Sequence, residues 1–206
     1  MNIFFIRHGH CLSIVNQHEN RSIVPIDSEN TLTDLGIRKI KETAKNLSHV
    51  IQVDEYTKII TGTMPRAEDS AKLISSELGL SYKLDNRLNE RVFHYKSKLS
   101  VLESKNIQVV TNLDPDLSLN GIESLRSQHD RVSDCINGLL LTPRIKNVLI
   151  ISHGGVINNA LCYLLKIPLD GAPMFNCDCA KGHQLSIVNF ENTKVVKFLR
   201  MNSDFG

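Results

Sequence analysis

The chain has 206 residues, enough for one domain with a sizeable core, and its 41% hydrophobic and 22% charged content is ordinary for a globular protein. A net charge of +2 without any lysine- or arginine-rich run argues against a nucleic-acid or membrane-surface role. No apolar stretch is long enough to span a bilayer, and the short run Ile3–Ile6 lacks the basic flank of a signal peptide. The odd count of five cysteines then points to reduced thiols and a cytoplasmic location.

Strand and helix patterns alternate along the chain. Asn2–Ile6 reads as the first strand, and the polar residues 10–31 as a long loop. Thr33 is placed to cap a helix running to about Leu47, with Leu35, Ile37, Ile40, Ala44 and Leu47 near helical spacing. Lys58–Thr61 is a second strand. Pro65 suits the first turn of a helix ending near Leu78, with Gly79 as its C-cap. Leu80–Leu84 reads as a third strand, while residues 88–118 show little pattern. A helix is expected over about Asn120–Leu141, a fourth strand over Val148–Ile151 and a helix over Val156–Leu165. Gln184–Phe190 and Lys194–Leu199 alternate as a closing pair of strands joined at Glu191-Asn192. There is no repeat, linker or low-complexity tract. The expectation is a single α/β domain over residues 1–206, with a mostly parallel central sheet between two layers of helices.

Two of these strands end alike. Residues 3–9 read Ile-Phe-Phe-Ile-Arg-His-Gly, and residues 148–155 read Val-Leu-Ile-Ile-Ser-His-Gly-Gly. Ligand sites of open α/β sheets lie beyond the carboxyl ends of such buried parallel strands. His8 and His153 can therefore meet over one pocket with Arg7 beside them. Two imidazoles and a guanidinium suit a phosphoryl group.

Further motifs follow in order. Arg7-His8-Gly9 resembles the RHG signature of the histidine phosphatase superfamily, also called the phosphoglycerate mutase-like family. Leu32-Thr33-Asp34-Leu35-Gly36 resembles that family's LT-x-x-G segment. Met64-Pro65-Arg66-Ala67-Glu68-Asp69-Ser70-Ala71 resembles its RA-x-x-T-A segment, with Ser70 where Thr is usual. Leu88-Asn89-Glu90-Arg91 resembles the acidic segment that follows, and Gly121-Ile122-Glu123-Ser124 the GES-like start of a later helix. Ser152-His153-Gly154-Gly155 resembles the second histidine motif.

The resemblance implies a three-layer α/β/α fold with His8 as the phosphorylated nucleophile and His153 as a donor to the transferring group. Glu90 would protonate the leaving oxygen and then help activate water. The residue chemistry agrees. Arg7 and Arg66 can each grip phosphoryl oxygens bidentately. A neutral histidine is a competent nucleophile near pH 7. Gly9 and Gly154 would let the backbone approach the anion. These cationic side chains supply the charge stabilisation that Mg²⁺ gives elsewhere, so neither metal nor cofactor is expected. Asp85 and Glu123 are the other candidate acids. Glu90 also has a plainer reading, an ion pair with Arg91.

The chain departs from the family pattern around the outer phosphate contacts. Cys11 replaces the usual Ser or Thr two residues after the RHG glycine, and reads as a small packing residue or a redox-sensitive thiol. Gly62 stands where Ser is usual before the second arginine. Asn16 is the nearest candidate for a phosphate-contacting Asn, two positions late. Arg21, in the loop beside the pocket, can contact a second anionic group or be a solvated arginine. Residues 92–118, with Phe93, His94 and Tyr95, are expected to build part of the substrate pocket. Cys177 and Cys179, with His183 nearby, invite a metal reading. Two cysteines spaced i, i+2 on a strand also simply pack, and no metal is expected.

Mutases of the family need a long lid-forming insertion between the acid and the second histidine. Only residues 91–152 lie between Glu90 and His153, which favours the phosphatase branch. The expectation is a metal-independent phosphomonoesterase of the histidine acid phosphatase type. Its partner would be a small phosphate ester: a sugar phosphate, or a nucleotide or cofactor-precursor phosphate. Phosphohistidine on a protein is the other candidate. The alternatives are a mutase-type phosphotransferase, a non-catalytic phospho-ligand binder, and a cysteine-based redox or metal protein. The apolar content leaves room for a homodimer, although no stretch identifies an interface.

Overall fold

In the run Ile3-Phe4-Phe5-Ile6 every side chain is apolar, so a strand built from it must be covered on both faces. A computed structural model describes residues 1–14, 29–91, 114–118, 123–170, 175–190 and 193–206, and it shows that covering. β1 (Asn2–Arg7) is buried from Ile3 to Ile6. Beside it run β2 (Thr57–Thr61), β3 (Tyr82–Leu84) and β4 (Asn147–Ser152), all parallel to one another. β5 (Gly182–Phe190) and β6 (Thr193–Ser203) complete the sheet antiparallel, giving the order β3-β2-β4-β1-β5-β6.

The pleat sorts alternate side chains to opposite layers. Phe4, Ile6, Leu149 and Ile151 pack against α1 (Asp34–Val50) and α2 (Pro65–Leu78). Ile3, Phe5, Val148 and Ile150 pack against α3 (Leu125–Leu141) and α4 (Gly154–Leu165). Each core Leu, Ile or Phe so covered contributes about 1.5–3 kcal/mol relative to exposure. None of the described helices is long and apolar enough to cross a membrane.

Local signals set most of the helix ends. Thr33 caps α1 by accepting from the Gly36 amide at 3.2 Å. Pro65 opens α2, and Gly79 closes it in the left-handed region at φ 64°. The Leu80 amide donates to the Ser75 carbonyl at 3.1 Å, still part of that helix stop, so β3 begins at Tyr82 rather than Leu80. α3 begins at Leu125, later than the expected Asn120, because the Ser124 side chain accepts from the Ser127 amide and caps it there. α4 begins at Gly154 rather than Val156, directly after β4. Cys177 and Cys179 precede β5 and lie in no strand, which corrects that reading. The turn expected at Glu191-Asn192 lies outside the described residues.

Register places the candidate site. β1 and β4 pair from Asn2 with Asn147 through Arg7 with Ser152. The next residue on each strand is a histidine, so His8 and His153 leave the sheet side by side.

Candidate active site

His8 and His153 are buried, 4% and 1% exposed, and their ring centroids lie 5.0 Å apart. His8 Nδ1 lies 2.8 Å from the carbonyl oxygen of Gly9. A carbonyl only accepts, so Nδ1 carries the proton and Nε2 keeps the lone pair. Burial first, then the guanidiniums of Arg66 and Arg7, hold His8 well below the usual imidazole range. His153 is held low in the same way, by burial, by Arg66 and by His8 itself. Both rings are therefore neutral at pH 7. Both ring nitrogens of His153 are buried without a hydrogen-bond partner among the described residues, as is Arg7 Nε. Such orphans are costly in a core, and they mark a place built for a polar ligand.

The two arginines come from different elements. Arg7 ends β1, and its Nη1 donates to the Cys177 carbonyl at 2.8 Å. Arg66 is buried in the first turn of α2, 6% exposed. Ser70, one turn on, donates to the Arg66 carbonyl at 2.7 Å and accepts from the Gly9 amide at 3.0 Å. It thus ties α2 to the backbone beside His8.

Glu90 lies just after a 3-10 turn, Asn86–Leu88. Ser152 Oγ docks this segment on β4 by donating to the Leu88 carbonyl at 2.7 Å. Three donors orient the Glu90 carboxylate. Gln128 Nε2 and the Arg91 amide reach Oε1 at 2.7 and 3.1 Å, and the Gly155 amide reaches Oε2 at 3.0 Å. The rival acids are committed elsewhere. Asp85 forms an ion pair with Arg87, and Glu123 is gripped bidentately by Arg131. Hydrogen bonding to Arg87 holds Asp85 below the usual carboxylate range.

Several sequence expectations change. The Gly9 amide donates to Ser70 Oγ at 3.0 Å. A Cβ at Gly9 would meet the Gly36 carbonyl oxygen and Ile40 at 2.9 Å, so the glycine serves packing against α1. A Cβ at Gly154 would rest on the Arg7 guanidinium at 3.8 Å, an ordinary contact, so no neighbouring protein atom demands glycine there. Gly155 is the demanding position. Its Cβ would sit 2.5 Å from Glu90 Oε1. Gly62 has a similar steric reason, since a Cβ would lie 2.9 Å from the Leu88 carbonyl oxygen.

Cys11 is fully buried beside Ser13, its Sγ 3.3 Å from the hydroxyl, as a packing residue would be. Cys177 donates from Sγ to the Lys181 carbonyl, and burial pushes its thiol up to about 12. Among the described residues no group of three His, Cys, Asp or Glu could hold a metal ion. Asn16, Arg21, Phe93, His94 and Tyr95 lie outside the described residues.

Sequence reading missed Gln128 and Gly155. The signal for Gln128 was present. It is a polar residue on the stripe that Val132, Cys135, Ile136 and Leu139 make core-facing.

The sheet and its strand-end histidine pair belong to the phosphoglycerate mutase-like class of α/β folds. Residues 3–204 match the histidine phosphatase superfamily (branch 1), and the chain belongs to that superfamily. A curated relative, probable phosphoglycerate mutase GpmB of Yersinia pestis, is 25% identical over 179 residues, covering 82% of this chain and 76% of that one. Among solved structures, a mycobacterial glucosyl-3-phosphoglycerate phosphatase bound to VO3 superposes with a TM-score of 0.78 at 20% identity, covering 98% of this chain and 99% of the other. The α-ribazole phosphatase of Shigella flexneri gives 0.79 at 20% identity, covering 99% and 97%.

Proposed function

We propose that the protein is a phosphomonoesterase that passes a phosphoryl group from a small phosphate ester to His8 and then to water. The observation that carries this reading is the state of His8. Its ring is neutral, anchored through Nδ1 to the Gly9 carbonyl, and keeps its lone pair on Nε2. In the first step an Nε2–P bond forms as the ester P–O bond breaks, and the leaving oxygen takes a proton from Glu90. In the second, Glu90 takes a proton from water, the water oxygen bonds phosphorus, and the Nε2–P bond breaks. Arg7, Arg66 and His153 stabilise charge on the three phosphoryl oxygens.

The test is hydrolysis of para-nitrophenyl phosphate with and without EDTA. Wild type should be active in both, and His8→Ala should lose essentially all turnover. A radiolabelled phosphoenzyme, stable to alkali and labile to acid, should form on wild type alone. Activity that needs a metal, or survives in His8→Ala, overturns the reading. Glucosyl-3-phosphoglycerate and α-ribazole-5′-phosphate, the esters named for the structural neighbours, head the substrate screen.

The similarity to a probable phosphoglycerate mutase supports a second reading, phosphotransfer between hydroxyls. The short span from Glu90 to His153 speaks against it. Transfer between the hydroxyls of phosphoglycerate faster than hydrolysis would establish it instead.

A further inference from the structure

Behind Glu90 stands a buried line of two amides. Gln128 on α3 is fully buried. Its Nε2 donates to Glu90 Oε1 at 2.7 Å, and its Oε1 accepts from Asn159 Nδ2 on α4 at 2.8 Å. Asn159 is itself only 1% exposed. The line has one direction. An ionised carboxylate only accepts, so Gln128 presents its nitrogen to Glu90 and its oxygen to Asn159. The site of Gln128 is a core stripe where an apolar side chain would pack and require no partners. A buried amide there is justified by what it holds.

We propose that Gln128, backed by Asn159, is a positioning residue that fixes the Glu90 carboxyl for proton transfer to and from the substrate oxygen. This rests on the reading of Glu90 as the acid and base of the reaction. Two backbone amides also hold the carboxylate, Gly155 on Oε2 at 3.0 Å and Arg91 on Oε1 at 3.1 Å. The Gln128 bond to Oε1, at 2.7 Å the shortest of the three, is the one that comes from a side chain, and it joins α3 and α4 at the point where both meet Glu90. Among the described residues, the charged or titratable groups around the line include Arg91, with Glu123 and Arg131 beyond it, and His129 beside Asn159, with Asp130 and Arg126 beyond it. None of them is altered by a substitution at Gln128 alone.

The experiment compares two esters. Glycerol 2-phosphate leaves as an alkoxide and needs a proton, whereas para-nitrophenolate leaves without one. Gln128→Met keeps the volume and removes the donor. It should lower kcat for glycerol 2-phosphate about tenfold or more, with smaller loss on para-nitrophenyl phosphate and KM within about twofold on both. Removing a donor from the ionised form, or adding a like charge, favours the protonated carboxyl. The high-pH limb of kcat should therefore move up in Gln128→Met, and further up in Gln128→Glu. Asn159→Leu should act in the same direction with smaller size.

Equal losses on both esters with an unmoved limb would show a purely structural role and overturn the proposal. So would a folded variant with wild-type kinetics. If Gln128→Met fails to fold, by thermal melt, Gln128→Glu keeps the shape and carries the same readouts. A wild type that hydrolyses neither ester overturns the reading of the site and this proposal with it. An active wild type with unmoved variants overturns this proposal alone.

Discussion

A methyl group at position 155 would collide with Glu90 Oε1 and with almost nothing that holds the fold together. The atom in its way is the far end of a flexible side chain, so the carboxylate moves and the helix stays. Gly155→Ala should therefore lower kcat for an alkyl phosphate by about tenfold or more, with the thermal midpoint lowered only as far as the displaced carboxylate gives up its bond from buried Gln128. Ser70→Ala does the opposite kind of damage. It strands the buried Gly9 amide, at a cost of about 1–3 kcal/mol, and should lower the melting temperature measurably. Ser70→Thr keeps the hydroxyl and should recover most of that loss. The two histidines make stability depend on pH. Their folded values lie well below the ordinary 6.5, so below that pH the unfolded chain binds more protons than the native one. Their contribution is complete above about pH 6.5 and is lost as pH falls toward the folded values. Melts in phosphate-free buffer should show lower stability at pH 5 than at pH 7.5, with a shallower slope in the double variant His8→Ala, His153→Ala. A slope unchanged by that pair of substitutions would contradict the burial of two neutral imidazoles.

The elements differ in how openly the chain declares them. β1 and β4 were legible because a buried parallel strand is apolar at every position and because each stops at His-Gly. α1 and α2 were legible through Thr33, Pro65 and Gly79, whose capping chemistry is local. The start of α3 was not, since several polar residues before Leu125 compete for the cap and only the structure shows Ser124 to be the one used. Ser124→Ala should accordingly cost about 1 kcal/mol in chemical denaturation. The catalytic candidates followed the same division. Arg7, His8 and His153 sit at strand ends, where sequence punctuation marks them, and Arg66 and Glu90 were marked by the resemblance to the family's motifs. Gln128 and Asn159 sit inside helices, and their importance depends on which helix lies opposite, a long-range fact that no local pattern carries. The reading of Cys177 and Cys179 as a strand pair failed for a related reason. Alternation can be seen in sequence, but the sheet partner that would make it a strand cannot.

At the scale of the molecule, the sheet is clamped between two helix pairs, and the last residues take part in one of the two cores. Phe205 is 2% exposed and packs on Phe4 of the central strand with ring centroids 5.9 Å apart. Phe205→Ala should destabilise the protein by about 3–5 kcal/mol, read by urea denaturation. The register that levels Arg7 with Ser152 has a further consequence. The distance between the two histidines is encoded in a ladder of backbone hydrogen bonds, and the connecting segments have no vote in it. Such a frame works like a machinist's jig, holding its tools at a set spacing whatever is bolted around them. Segments that meet the substrate can be rewritten freely, by evolution or by a designer, without resetting the tools. Chains that share this fold with barely a fifth of their residues in common, and that carry different named substrates, are what such a jig would be expected to leave behind.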